Sequence, residues 1–138
     1  MLKRPINDEN MIREILATDG AIAMVGMSDK PERDSHEVAQ YLLHLRYKVV
    51  PINPKADEIL GQKAYPSLAD VPFPIEVVDV FRKSEAVPAI VDEAIKVGAK
   101  YLWLQLGVVH EEAAEKARNA GLGVVMDRCM KQERDKRV

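Results

Sequence analysis

The sequence predicts a doubly wound, three-layer α/β domain on a five-stranded parallel sheet, a single domain over residues 1–138. Three observations lead there. Short apolar runs alternate with amphipathic segments of helical spacing along the chain. The connections between them are short. The runs "AIAMV" and "KYLWLQL" are nearly continuous rather than alternating, as strands covered on both faces are.

Each element follows in order. "NDENMIREILA" has Met11, Ile12, Ile15 and Leu16 at helical spacing, with Asn7 or Asp8 to cap it and Gly20 to stop it. Residues 21–25 form the first strand, ended by Gly26. "SHEVAQYLLHLR" puts Val38, Tyr41, Leu42 and Leu45 on one helical face; Asp34 or Ser35 is the expected cap, with Glu37 completing a capping box if Asp34 serves. "YKVVPINP" is the second strand. The stretch after it, broken by Gly61, Pro66, Pro72 and Pro74, reads as a loop with at most a helical turn around Ser67 to Asp70. "EVVDVF" is the third strand. "SEAVPAIVDEAIKVG" is a helix with Pro88 in its first turn and Val87, Ile90, Val91, Ala94 and Ile95 inward. "KYLWLQL", "HEEAAEKARNAG" and "GVVMD" supply the fourth strand, a helix whose charges suit its dipole, and the fifth strand. The charged end, "KQERDKRV", reads as a helix end or a frayed tail.

Composition narrows the function. A formal net charge of -2 gives no global pull toward nucleic acid or an anionic membrane. The single cysteine, Cys129, excludes an internal disulfide, and no Cys/His spacing suits a metal. The N-terminal residues lack the apolar stretch of a signal peptide, and no run approaches a membrane span, so a cytoplasmic location is expected.

In an open parallel sheet, ligands bind beyond the carboxyl ends of the strands, where strand order reverses. An order of 3-2-1-4-5, resting on right-handed crossovers and on the resemblance below, puts that point between the first and fourth strands. The first loop offers Gly26, Ser28, Lys30, Arg33 and Ser35 ahead of a helix N-terminus, a seat for phosphate. Gly26 permits close approach to a ligand and Arg33 a two-pronged phosphate contact. The dinucleotide fingerprint is missing: Ser28 and Pro31 stand where its second and third glycines belong. Asn53 replaces the acid that often accepts from ribose hydroxyls, and Lys55 follows it. Arg82 and Lys83 add positive charge after the third strand; Phe81 either packs on a base or fills the core. Gln105, polar within an apolar run, either touches a ligand or satisfies a backbone group. Five basic side chains thus converge on one rim.

The stretches "AMVGMSDKPERDSHEVAQYL", "YKVVPINPKADEILGQKAYPSL", "VVDVFRKSEAVPAIVDEAIKVGAKYLWLQLGV" and "AGLGVVMDRCMK", from about Ala21 to Lys131, resemble the small stand-alone CoA-binding proteins. These in turn resemble the CoA-binding domain of the succinyl-CoA synthetase α subunit. The resemblance implies a Rossmann-like fold that takes coenzyme A or an acyl-CoA without the NAD fingerprint. It implies phosphate contacts from Gly26, Met27, Ser28, Asp29 and Lys30, a contact from Lys55, another from Leu104, Gln105 and Leu106, and a cleft lined by Val80, Phe81 and Arg82. Arg33, Ser35 and Asn53 join the candidate site on this chain's own chemistry. Arg46 stands where relatives commonly carry glycine. The synthetases also use a phosphohistidine from a separate domain, which this chain is too short to include, and His36, His44 and His110 have no catalytic partners in the pattern.

Three functions follow as expectations: binding of CoA without chemistry of its own, hydride transfer with NAD(P), or a regulatory subunit that docks on a separate enzyme. The missing glycines and acid weigh against the second. No catalytic residue and no metal ligand are assigned. Cys129 reads as a buried, inert cysteine, with a mixed disulfide to the CoA thiol as the alternative.

Overall fold

The computed structural model describes residues 3–137. Five parallel strands form one sheet: β1 (Ala21–Val25), β2 (Lys48–Ile52), β5 (Val77–Val80), β6 (Tyr101–Leu104) and β7 (Gly123–Met126). Between β2 and β5 lies a small antiparallel hairpin, β3 (Glu58–Ile59) and β4 (Gln62–Lys63), turned by Leu60 and Gly61, both at positive φ. The hairpin lies in the stretch expected to be loop, and the 3-10 turn at Leu68–Asp70 is the helical turn expected around Ser67 to Asp70.

Two apolar layers cover the sheet. One packs α3 (Val87–Lys96) and α4 (Glu111–Asn119) against Ala23, Val78, Val80, Leu102 and Leu104. The other packs α1 (Glu9–Leu16), α2 (Asp34–His44) and the first residue of α5 (Met130–Asp135) against Ile22, Met24, Val77 and Trp103. The period-2 geometry of each strand assigns alternate residues to opposite layers.

The fold class is the expected one, but the strand order is not 3-2-1-4-5. The sheet runs β2-β1-β5-β6-β7, so the third long strand lies between the first and fourth rather than outside the second. Pro51 gives a physical reason. It has no N–H, and its carbonyl faces away from β1, where it accepts from the Tyr65 amide at 3.0 Å. Asn53 N donates to Tyr65 O at 2.9 Å, so a single bridge covers this edge. A full strand there would lack a ladder donor, and proline belongs on sheet edges. The reversal point therefore sits between β1 and β5.

One further expectation changes. Asp34 and Ser35 are not the cap of α2: Arg33 occupies that position, with no side-chain cap bond. The charged C-terminal segment takes the first of its two readings, a helix end. Its Glu133 is 3% exposed and bonds Arg128, Lys136 and Arg137, while Arg137 also clasps Glu9 of α1 at 2.6 and 2.7 Å. Val138, like the first two residues considered for a signal sequence, lies outside the described residues. Elsewhere the caps follow the pattern: Asp8 accepts from Met11 N at 3.0 Å, and His110 Nδ1 accepts from Ala113 N at 3.1 Å. Asn7, the other candidate cap, instead bonds the Met126 backbone in both directions. No helix is long and apolar enough to cross a membrane among the described residues.

Candidate functional site

The strand carboxyl ends open onto three adjoining hollows. The first, of about 370 Å³, is lined by Gly26, Ser28, Lys30, Arg33, Asp34, Ser35 and Phe81. The second, of about 640 Å³, runs from Phe81 and Arg82 across Gln105 and Leu106 to Cys129 and Lys131. The third, of about 240 Å³, lies by the α3 side and shares Gly26 and Arg82 with the others. Two more hollows, of about 570 and 480 Å³, lie away from these strand ends. Most of their cations are already held by carboxylates, as in Arg137–Glu9, Arg4–Glu14 and Arg118–Glu115. A site for an anion needs uncommitted charge, which directs attention to the rim.

The loop from β1 to α2 is ordered by its own polar groups. Ser35 Oγ accepts from Ser28 N at 2.9 Å, and Ser28 Oγ accepts from Lys30 N at 3.1 Å. The carboxamide of Asn53 reaches across, donating to Met27 O at 2.9 Å and accepting from Lys55 N at 2.8 Å. Asn53 is thus a staple between two strand-end loops. With no side-chain cap on α2, and with His36 N and Glu37 N both directed at Arg33 O, the amides of Asp34 and Ser35 have no acceptor among the described residues. Unsatisfied N–H groups at a helix N-terminus carry partial positive charge and suit an anion.

Gly26, which lines the first hollow, has a reason in the fold itself as well. At φ +86°, a Cβ there would lie 2.5 Å from Phe81 O and 2.7 Å from Arg82 Cδ. The close approach is to the exit of β5, which the strand order has made its neighbour. Phe81 N donates to Val25 O at 2.8 Å across the same junction.

Lys30 and Arg33 face the first hollow, and Arg82 and Lys83 the second. None of the four, nor Lys55, has a carboxylate within 4.0 Å among the described residues. Lys55 is exposed and lines none of the three hollows, and Asp29 is likewise exposed outside them. Met27, Val80 and Leu104, expected as ligand contacts, are 0% exposed and sit in the core, so they support the rim from beneath rather than face it. Leu106 is 62% exposed at the lip of the cleft. Cys129 is half-buried on the cleft wall rather than sealed in the core.

Gln105 is 3% exposed and committed internally. Its Nε2 donates to Asp79 Oδ1 at 2.6 Å, and its Oε1 accepts from Met130 N at 3.4 Å. Asp79 went unnoticed in the sequence, although a lone acid inside "VVDV" was the available signal. It is fully buried, and its Oδ2 has no partner. Burial pushes its carboxyl up to about 7, partly opposed by the bond from Gln105. Among the described residues no group of three or more His, Cys, Asp or Glu side chains is placed to hold a metal.

Comparison with known proteins settles the family. The model of the CoA binding domain matches residues 20–135. This chain belongs to that CoA-binding domain family. The Bacillus subtilis protein YneT is 42% identical over 120 residues, covering 87% of this chain and 89% of that protein. A solved structure described as a hypothetical protein from Pyrococcus horikoshii superposes with a TM-score of 0.89 at 46% identity, over 99% of this chain and 98% of that one. An ADP-forming acetate–CoA ligase of Methanocaldococcus jannaschii is 32% identical over 80 residues. That match takes in 58% of this chain but 11% of the ligase, so the family occurs both as small proteins and as part of a larger synthetase.

Proposed function

We propose that this protein binds coenzyme A or an acyl-CoA at the rim and performs no chemistry of its own. The phosphates lie against the loop of residues 26–35, and the pantetheine arm lies in the larger cleft. The observation that carries the reading is a concentration of uncommitted positive charge in a member of the CoA-binding domain family. Lys30, Arg33, Arg82 and Lys83 are unpaired beside the free amides of Asp34 and Ser35, in a protein of net charge -2. Guanidinium groups and helix-start amides are the donors that polyphosphates recruit. The cleft adds apolar wall from Phe81, Leu106 and Val108, which suits an uncharged arm.

Calorimetry tests the reading. CoA binds at micromolar concentration, and dephospho-CoA, lacking one phosphate, binds at least tenfold more weakly. Heat with NADH or NADPH but none with CoA reverses the conclusion. A second reading, docking on a separate acyl-CoA enzyme, draws support from the ligase relative, in which the matching region is a small part of a longer chain. A partner that co-purifies in stoichiometric amount favours it; a lone monomer at every concentration does not.

A further inference from the structure

The wall of the larger cleft opposite α2 is α5, and what holds its first turn is unusual. Met130, its first residue, gives its amide to Gln105 Oε1, and Gln105 Nε2 is in turn held by Asp79 in the middle of β5. Lys131, Gln132 and Asp135 of this helix line the cleft, as do Cys129 before it and Gln105 itself. Across the opening, Lys131 pairs with Glu37 of α2 at 2.9 Å, and Tyr41 of α2 donates to Asp135 at 2.5 Å. A carboxamide is symmetric in shape but not in hydrogen bonding. An acceptor-only carboxylate fixes its nitrogen toward Asp79 and so points its oxygen at the Met130 amide. A protonated Asp79 can instead donate to that oxygen, turning the amide so that an N–H faces an N–H.

We propose that Asp79 and Gln105 are positioning residues that seat α5 against the strand ends and thereby set the shape of the ligand cleft. The consequence for affinity rests on the reading that the cleft holds CoA; the seating itself does not. An apolar pair of similar volume would fill the same space without leaving Asp79 Oδ2 unsatisfied, so packing alone does not explain these two side chains. Level with Asp79 on the adjoining strands are Met24 and Trp103. Of the titratable groups on the covering helices, His36 on α2 and Glu133 on α5 are buried; the others, Glu37, Tyr41, Lys131 and Asp135 among them, are half-buried or exposed, as is Cys129 ahead of α5. Neither they nor any other charge contributes to the upward shift of Asp79.

Trp103 is the sole tryptophan and reports on this junction, because its Nε1 donates to Arg128 O, just ahead of α5, at 2.8 Å. In the full-length protein, the wild-type Trp103 emission titrates between about pH 6 and 8. The titration is absent in Asp79→Asn, whose retained oxygen still accepts from Gln105, and in Gln105→Met. At pH 8, Gln105→Met exchanges the amides of residues 130–135 at least tenfold faster than wild type and weakens CoA binding at least fivefold. Asp79→Asn keeps wild-type exchange at that pH. Unaltered exchange and an unaltered emission titration in Gln105→Met overturn the proposal. Should Gln105→Met fail to fold, persistence of the titration in Asp79→Asn overturns it alone. If the wild type binds no CoA while the emission and exchange differences appear, the ligand assignment fails and the seating stands.

Discussion

Asp79 and Glu133 are both buried acids, 0% and 3% exposed, in two regions that treat charge in opposite ways. Glu133 lies on the flank where α5 meets α1. Burial pushes its carboxyl up, but pairing with Lys136, Arg137 and Arg128 outweighs that and holds it below the ordinary carboxylate range. Asp79 lies beside the cleft with one carboxamide and no cation, and burial wins. The cations divide likewise. On the flank Arg137 and Arg13 reach Glu9, whereas Lys30, Arg33, Arg82 and Lys83 at the rim have no carboxylate within 4.0 Å among the described residues, although Asp34, Glu37 and Asp135 line the same hollows. The flank spends its charge internally on holding a helix in place. The rim keeps its charge available for something else. Similar side chains therefore have different uses, decided by what the chain folding has placed next to them.

The sharpest way to break this comparison is pH. A raised folded-state pKa for Asp79 means that the folded protein holds its proton where the unfolded chain has lost it. Stability from this group is full at low pH and falls as pH rises from about 4 to about 7, by an amount on the order of 4 kcal/mol. Glu133 has the opposite sign: its contribution is present above its unfolded pKa and is lost as pH falls through the lowered folded value. Denaturant midpoints across pH 4–8 should therefore flatten in Asp79→Asn. In Glu133→Gln the acid-side loss should shrink, with stability at pH 7 lower by about 2 kcal/mol.

Gly26→Ala forces a side chain into positive φ and against Phe81 O, and should cost about 3 kcal/mol by chemical denaturation. Gly107→Ala shares the φ but has open space around it, and should cost about 1 kcal/mol. Next in size, Arg33→Ala or Arg82→Ala should weaken CoA binding about tenfold, roughly 1.4 kcal/mol, with stability changed by no more than about 0.5 kcal/mol. Arg137→Ala should shift the balance the other way, lowering stability by more than it weakens CoA binding, which calorimetry and thermal melts on the same samples separate. The smallest effect belongs to Lys116→Ala: its exposed pair with Asp92 should contribute less than about 0.5 kcal/mol despite a 2.6 Å contact.

Much of this was legible in the sequence. Helical spacing located α1 through Met11, Ile12, Ile15 and Leu16, all buried, and α3 through Val87, Ile90, Val91 and Ala94, also buried. The loop holding Gly26, Ser28, Lys30, Arg33 and Ser35 was found because glycine, hydroxyls and cations cluster between a strand and a helix. The hairpin at residues 58–63 was missed because each strand is two residues long, too short for any period to register. Asp79 and its bond to Gln105 were missed, since 26 positions separate the two, whereas the backbone group that Gln105 was read as able to satisfy is present as Met130 N. The stapling role of Asn53, read as a candidate ligand contact, was missed for a similar reason: its partner, Met27 O, belongs to another loop.

What the sequence determined by itself was the class of fold, its sequence of strands and helices, and the end of the sheet where cations gather. Periodicity and local chemistry are properties of neighbours along the chain, and these features need nothing more. Only the tertiary structure decided that β5 lies beside β1, that Gly26 is required by Phe81, and that Glu133 is neutralised while Asp79 is not. Each of those depends on contacts between distant segments, and a buried group's energy is set by what surrounds it in space.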